Sequence, residues 1–405
     1  MAIGVGGSTV EEALASLSDM TGGVPGISKQ EFESRLGKLQ AAMKRDNIAA
    51  VFLHASSSLY YFTGLKWHAS ERMVAAVVFA DGTLAYIAPF FESDTLKDYW
   101  LIEAPLHLWQ EHENPSQLLC DVLTKHGAST GKVLLDPATP FGMAQAIIKA
   151  NPGNEFESAH EMIDSFRSIK SDSELAIIRR AHEMTLAVHA AAASILRPGI
   201  TTTEVEEFID VAHRAVGAPG GSFFVIVLFG VATSFPHGVK DPQVLQKNDW
   251  VLMDTGCLLH GYNSDITRSY PFGTPTDRQR KFWEVEKAAQ LAAFEAIKPG
   301  AACEIADAAA RASLESAGFG PDYQLPGLPH RAGHGCGLDI HEAPYLAKGE
   351  STPLQEGMVF SSEPMLVVPD EFGIRLEDHF FVTKNGAQWF TEPSRSIDDP
   401  FNSDS

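Results

Sequence analysis

The sequence predicts an α/β (α+β) protein of two domains, with the second domain built from two copies of one ααββ unit. Short apolar strands alternate with helical segments to about residue 156, which is typical of an α/β domain. A boundary is expected near Ser165–Ser171, because Ser171 followed by Glu174 forms a capping box that predicts the start of a long helix. We therefore expect an N-terminal domain over residues 1–166 and a C-terminal domain over residues 167–405.

The first domain is predicted from apolar periodicity. Apolar residues at helical spacing predict an amphipathic helix between Ser28 and Asn47. Ala49–Leu53 is then predicted to be a strand, and Met73–Phe79 with Leu84–Ile87 to be a hairpin that turns at Asp81–Gly82. These elements predict one sheet with helices beside it.

The second domain contains a weak internal repeat. Ile195–Gly199 precedes a helix that is predicted to start near Thr203, and Ile297–Gly300 precedes one that is predicted to start near Cys303. Each copy follows a helix and is followed by a strand-rich segment. A duplicated ααββ unit with pseudo-twofold symmetry explains this pattern.

Composition excludes several classes of function. The 405 residues are 44% hydrophobic and 20% charged, as in soluble globular proteins. A net charge of −21 argues against binding nucleic acid or an anionic membrane. The cysteines lack the paired spacing of a zinc site, no apolar run could span a bilayer, and no secretory signal is visible. We expect a cytoplasmic protein without nucleic-acid or membrane partners.

The stretch Trp250–Pro271, WVLMDTGCLLHGYNSDITRSYP, is predicted to be a hairpin. Its strands are expected at Val251–Gly256 and Ser264–Pro271, which places Asp254 and Asp265 at equal distances from the turn. We expect the two carboxylates to lie directly opposite each other, where like charges repel unless a cation lies between them. The alternative is a surface hairpin with two solvated acids.

A second hairpin is predicted from Met358–Val368 and Gly373–Thr383. Glu363 and Glu377 are again equidistant from the loop, so this pair of carboxylates is also expected to be opposite. Arg375 lies two residues before Glu377 and therefore on the same face. The two hairpins together present four carboxylates.

Three histidines lie between the hairpins, in LPHRAGHGCGLDIHEAP. His330, His334 and His341 are interspersed with glycines, which allow a tight loop around a site; the alternative is a polar surface loop. Four carboxylates with one imidazole suit Mn, Co or Zn, and four negative charges balance two divalent cations. A dinuclear centre of this kind could hold a bridging hydroxide and polarise a carbonyl.

At these residues the sequence resembles the creatinase/prolidase/aminopeptidase P/methionine aminopeptidase family, which has the pita-bread fold. The resemblance covers about residues 167–384, and YYFTG with the RSIKS linker resembles the creatinase-type N-terminal domain more weakly. It implies a creatinase-like N-terminal domain followed by a pita-bread catalytic domain. The motifs MDTG, SDITR, GHGCG, SSEP and RLED match the five metal ligands of the family, which assigns that role to Asp254, Asp265, His334, Glu363 and Glu377.

Further roles are implied by the same resemblance. His237 in SFPHG matches a residue that holds substrate near the metals, and His341 matches one that stabilises the transition state. His330 and Arg375 match positions that line the proline-side pocket, and Glu363 would also carry protons. The segment Lys247–Asn248–Asp249 departs from the family, which usually has a Gly-Asp pair there.

The function implied is a metallo-exopeptidase with two divalent ions per subunit (Mn, Co or Zn, with Mn favoured). We expect a homodimer that hydrolyses small Xaa-Pro peptides as a dipeptidase of the prolidase type. Aminopeptidase P activity, hydrolysis or elimination of a small solute on the same scaffold, and a non-catalytic binding module are the alternatives. The motifs do not separate the first two, because that choice depends on loops around the far end of the substrate.

Overall fold

The computed structural model describes residues 2–403, which form two compact units. One unit is Ile27–Arg167, and the other combines residues 2–26 with residues 168–403. In this described part of the chain, no helix has the length and apolar character needed to cross a membrane.

The helices are, in chain order, α1 Val10–Ala15, α2 Lys29–Arg45, α3 Ser57–Thr63, α4 Ser93–Tyr99, α5 Pro115–Lys125, α6 Phe141–Ala150, α7 His160–Arg167, α8 Asp172–Ser194, α9 Thr202–Ala215, α10 Asp277–Glu295 and α11 Glu304–Ser316. The strands are β1 Ile48–His54, β2 Ala75–Phe79, β3 Leu84–Pro89, β4 Leu106–Trp109, β5 Gly131–Leu135, β6 Asn154–Ser158, β7 Ser222–Phe229, β8 Trp250–Leu259, β9 Tyr262–Asn263, β10 Ile266–Pro271, β11 Gly333–Gly335, β12 Glu342–Leu346, β13 Val359–Ser362, β14 Met365–Val368, β15 Phe372–Arg375, β16 Asp378–Thr383 and β17 Gly386–Trp389.

The unit Ile27–Arg167 is a six-stranded mixed sheet with helices beside it. Its strand order is β4-β3-β2-β1-β5-β6, and the predicted hairpin is present as β2 and β3, paired through Val78 and Leu84. The predicted first helix is α2, whose N-cap Ser28 accepts a hydrogen bond from the backbone of Glu31. The α/β character expected here is confirmed.

The second unit contains the duplicated pattern. Helices α8 and α9 are followed by a sheet of order β10-β8-β7, and helices α10 and α11 by a sheet of order β12-β11-β13-β16-β17. Gly199 and Gly300 end equivalent turns between the paired helices, with φ of 85° and 84°. Only glycine adopts this left-handed conformation without steric cost, which explains why Pro-Gly recurs in both copies.

The register of the first hairpin differs from its prediction by two residues. Asp254 pairs with Thr267, not with Asp265, and Asp265 lies in the break between β9 and β10. The reason is a two-residue turn at His260 and Gly261, both with positive φ, which fixes a register that the sequence symmetry did not reveal. The expectation that the two carboxylates lie directly opposite each other is therefore wrong.

The second hairpin has the predicted register. Met365 pairs with Arg375, and Ser362 pairs with Asp378, so the same alignment continues through the breaks that contain Glu363 and Glu377. Both glutamates are thus opposite each other where each strand is interrupted.

Candidate metal centre

The two hairpins meet at the carboxylates. The backbone N–H of Glu377 donates to the carbonyl of Thr267 at 3.1 Å, which forms an isolated bridge between the hairpins. Because Thr267 is paired with Asp254 and follows Asp265 by two residues, this bridge brings both aspartates close to Glu377. The packing of two hairpins, rather than either one alone, assembles the cluster.

His334 lies beside three of the four acids. Its Nε2 is 3.3 Å from Glu363 Oε1, 3.7 Å from Asp265 Oδ2 and 3.8 Å from Glu377 Oε1. Its Nδ1 lies 2.9 Å from the carbonyl of Gly335, an acceptor, so Nδ1 carries the proton and Nε2 presents its lone pair to the carboxylates. The imidazole is therefore oriented as a ligand.

Burial and mutual repulsion perturb the acids. Burial raises the pKa of Asp254 to about 6, with the charge of Glu377 acting in the same direction. Burial followed by the charge of Glu377 raises the pKa of Asp265 and of Glu363 well above the usual range, and burial raises that of Glu377. Carboxylates this close together are stable when cations neutralise their negative charges.

The atoms without partners fit divalent cations. Asp254 Oδ1, Asp265 Oδ1 and Glu377 Oε1 are buried and have no hydrogen-bond partner within residues 2–403. Leaving charged oxygens buried and unpaired is costly, and carboxylate oxygens with imidazole nitrogens are a suitable donor set for Mn, Co or Zn. The residues present therefore fit a metal centre.

This fold and donor set agree with comparisons against known proteins. The sequence profile described as Metallopeptidase family M24 matches residues 176–384, which is about half of the chain. The chain belongs to metallopeptidase family M24. The profile described as Creatinase/Prolidase N-terminal domain matches residues 35–169. The family implies divalent metals and the pita-bread architecture of the catalytic half.

Named relatives of this M24 metallopeptidase align over nearly their whole length. The Xaa-Pro dipeptidase of Pyrococcus furiosus is 30% identical over 366 residues, which are 90% of this chain and 99% of that protein. The crystal structure of dipeptidase PepE from Mycobacterium ulcerans has a TM-score of 0.84 and 30% identity, with 92% of this chain and 98% of that chain covered. The prolidase from Pyrococcus horikoshii OT3 has a TM-score of 0.78 and 28% identity, with 90% and 99% covered.

Arg375 of the metallopeptidase forms a buried ion pair with Asp254. Its guanidinium donates to Asp254 Oδ2, to Thr267 Oγ1 at 3.0 Å and to the carbonyl of Pro236 at 3.1 Å, and the residue is buried. These contacts fix Oδ2 of Asp254 and leave Oδ1 without a hydrogen-bond partner among the described residues. In this chain Arg375 orients a carboxylate.

The three remaining histidines lie beside the cluster. The ring of His341 is 4.2 Å from that of His334, and the residue is exposed, whereas the Nε2 of His330 is buried without a hydrogen-bond partner in the described residues. His237 follows a 3₁₀ turn and is exposed. Burial lowers the pKa of His341, and the nearby charges of Arg331 and His237 act in the same direction, so these side chains share one neighbourhood.

Sequence reasoning missed three residues at this site. Thr267 Oγ1 donates to Glu377 Oε2 at 2.7 Å, and His379 Nε2 lies 3.4 Å from Glu377 Oε1. The strand alternation that placed Arg375 two residues before Glu377 also places His379 two residues after it, so that signal was available. Arg331 lies over the ring of Tyr345, with 4.2 Å from the guanidinium carbon to the ring centre. No spacing in the sequence indicated that contact.

Proposed function

We propose that this chain is a dinuclear metal-dependent dipeptidase that hydrolyses Xaa-Pro bonds. The observation that carries the proposal is the convergence of three carboxylates, those of Asp265, Glu363 and Glu377, on His334, together with buried carboxylate oxygens that lack partners among the described residues. The ligands would be Asp254, Asp265, His334, Glu363 and Glu377, holding two divalent ions of Mn, Co or Zn, with Mn favoured. Relatives named Xaa-Pro dipeptidase support the substrate class.

Each side chain of the site has a task in this proposal. Bound cations would activate water and polarise the scissile carbonyl. Glu363 is the most exposed of the four acids, with 14% of its side chain accessible, so it can take a proton from water and pass it to the leaving nitrogen. His341 is exposed beside His334 and can donate to the developing oxyanion, and His237 and His330 line the substrate side.

Arg331 supports a dipeptidase over an aminopeptidase P. Tyr345, on which the guanidinium stacks, pairs with His334 across β11 and β12, so Arg331 is adjacent to the site. Its charge contributes to lowering the pKa of His334 and His341, after the larger effect of burial. Within residues 2–403 no carboxylate forms an ion pair with it, and guanidinium groups bind carboxylates in a bidentate manner. A free carboxylate on the proline residue of a dipeptide is a suitable partner.

The proposal extends to the domains, the location and the oligomeric state of the protein. We propose the predicted domain boundary between residues 166 and 167, with residues 2–26 assigned to the second unit rather than to the predicted domain 1–166, a cytoplasmic location and a homodimer. In support of self-association, the unit Ile27–Arg167 exposes large aromatic residues, with Phe90, Phe91 and Tyr99 accessible to 54%, 56% and 58%. Sedimentation velocity is expected to give twice the mass of the chain, and a monomer at micromolar concentration would refute the dimer.

The deciding experiment is hydrolysis of matched Xaa-Pro dipeptides and Xaa-Pro-Yaa tripeptides by chelated protein after addition of Mn, Co or Zn. Metal-restored cleavage of dipeptides alone is the expected result. Cleavage of tripeptides alone would assign aminopeptidase P. Bound metal without cleavage of either peptide would move the function to a small solute or a binding role.

A further inference from the structure

His379 is directed at the proposed metal centre. Its Nε2 lies 3.4 Å from Glu377 Oε1, and one ligand atom from each of Asp265, His334, Glu377 and His379 lies within 4.8 Å of the others. The residue is fully buried, and both ring nitrogens are without a hydrogen-bond partner in the described chain. An unpartnered buried imidazole is costly unless something binds it.

The spacing of these atoms is that of ligands around a shared ion. Two ligand atoms that are each about 2.1 Å from a tetrahedral cation are separated by about 3.4 Å. The distances of 3.4 Å from His379 to Glu377 and 3.3 Å from His334 to Glu363 match this separation. A direct N–H···O hydrogen bond is shorter, at about 2.7–3.2 Å.

Neighbouring rings hold His379 in this place. The ring of His182 lies 4.6 Å away on one side and that of His334 lies 5.7 Å away. His182 is itself fixed, because its Nδ1 donates to the carbonyl of Ile178 at 2.8 Å and its Nε2 accepts from the backbone of Asp265 at 3.4 Å. The imidazole of His379 therefore has little freedom to turn away from the acids.

We infer that His379 is an additional metal ligand that makes the two cation positions chemically unequal. One position has the imidazoles of His334 and His379 with carboxylates of Asp265, Glu363 and Glu377, and the other has carboxylates alone. Imidazole suits zinc, whereas carboxylates suit manganese. The first position therefore selects zinc and the second accepts manganese. The inference rests on the proposed metal centre.

Calorimetric titration of the metal-free full chain with Zn²⁺ and, separately, with Mn²⁺ tests this selectivity. His379→Gln is expected to lower the affinity of the tighter zinc position at least about tenfold, the lower end of the cost of removing even an outer-shell partner. The affinity for manganese is expected to stay within about threefold of the wild-type value, because carboxylates dominate that position.

His54→Gln is the matched control. His54 lies in the unit Ile27–Arg167, is fully buried, and also has both ring nitrogens without partners in the described residues. Its replacement should leave both affinities unchanged. Equal losses of affinity for zinc and manganese in His379→Gln would mean that the ring acts only through Glu377. No loss of affinity for either ion would mean that the ring serves packing alone. Either result overturns the inference. Wild-type protein that binds neither ion would overturn the metal centre itself.

A second measurement uses the wild-type chain, so its result does not depend on whether the variant folds. Zinc X-ray absorption of protein loaded with one equivalent should show two imidazole rings at about 2.0–2.1 Å. A single ring would overturn the assignment of His379 while leaving the proposed metal centre in place.

Discussion

Thr267 and Glu377 connect the two hairpins twice, once through the backbone at 3.1 Å and once through the hydroxyl of Thr267, which donates to Glu377 Oε2 at 2.7 Å. The same hydroxyl accepts from Arg375 Nε at 3.0 Å. One side chain thus orients both a proposed ligand and the arginine that holds Asp254. The geometry of the site depends on it.

Replacing the hydroxyl of Thr267 with a methyl group should lower both the stability of the fold and the affinity for metal. Thr267→Val leaves Glu377 Oε2 without its donor, which should lower the free energy of unfolding by about 1–3 kcal/mol and weaken metal binding by about 10–100-fold. Urea denaturation and calorimetry measure the two effects. Thr267→Ser, which keeps the hydroxyl, should stay near wild type; a full-affinity Thr267→Val would contradict the role.

Glu363→Gln should remove proton transfer while the fold remains. Because general acid–base catalysis contributes about 10²–10⁴-fold, kcat on an Xaa-Pro dipeptide should fall by that order at saturating metal. Circular dichroism should be unchanged, since Glu363 lies in a break between strands. Activity close to that of wild type would refute the assigned role.

Arg331→Gln should act on the free carboxylate of the substrate. A hydrogen bond to a charged group contributes about 1.5–3 kcal/mol, so kcat/KM for an Xaa-Pro dipeptide should fall by roughly 10–100-fold. The matched Xaa-Pro amide, which has no carboxylate, should be hydrolysed equally by both proteins. An equal loss on both substrates would instead place Arg331 in support of His334 and Glu363.

A buried ion pair supports the strand that follows Glu377. Arg268 and Asp378 are 2.7 Å apart with 1% of each side chain exposed, and Arg268 also donates to the carbonyl of Glu377 at 3.0 Å. Arg268→Met leaves the carboxylate of Asp378 buried without its charged partner, with only the amide of Gln290 still donating to it at 2.9 Å, which should cost about 3–5 kcal/mol. Adding Asp378→Asn should restore part of the lost free energy of unfolding, which urea denaturation measures. A loss below about 1 kcal/mol in the single variant would show that the pair contributes little.

His213 should make the fold sensitive to acid. Burial lowers its pKa from 6.5 to about 4, while its ring nitrogens contact Thr185 Oγ1 at 3.1 Å and Ser222 Oγ at 2.8 Å. Between these pH values the unfolded chain binds a proton that the folded chain does not, so the stabilisation is complete above pH 6.5 and is lost as the pH falls towards 4. The loss should reach about 3 kcal/mol.

The difference in unfolding free energy between wild type and His213→Gln isolates this contribution from other buried histidines. The pH profile of the variant should be flatter between pH 6.5 and 4. Parallel profiles would contradict the assigned pKa.

Much of the architecture follows from local signals. The capping box at Ser171 and Glu174 marks the start of α8, and the recurring Pro-Gly turns at Gly199 and Gly300 reveal the duplication, because these features depend on a few neighbouring residues. The register of the second hairpin followed from the symmetric positions of Glu363 and Glu377, since its loop lies midway between them.

Other features depended on the conformation of one turn and on contacts between separate strands. The turn at His260 and Gly261 shifted Asp265 away from Asp254, and the bridge from Thr267 to Glu377 then brought the acids back together. The position of Arg331 over Tyr345 likewise required the pairing of β11 with β12. The sequence by itself determined which residue types were available and their order along two hairpins. Only the tertiary structure decided which atoms converge, because that depends on how separate sheets pack and not on spacing along one chain.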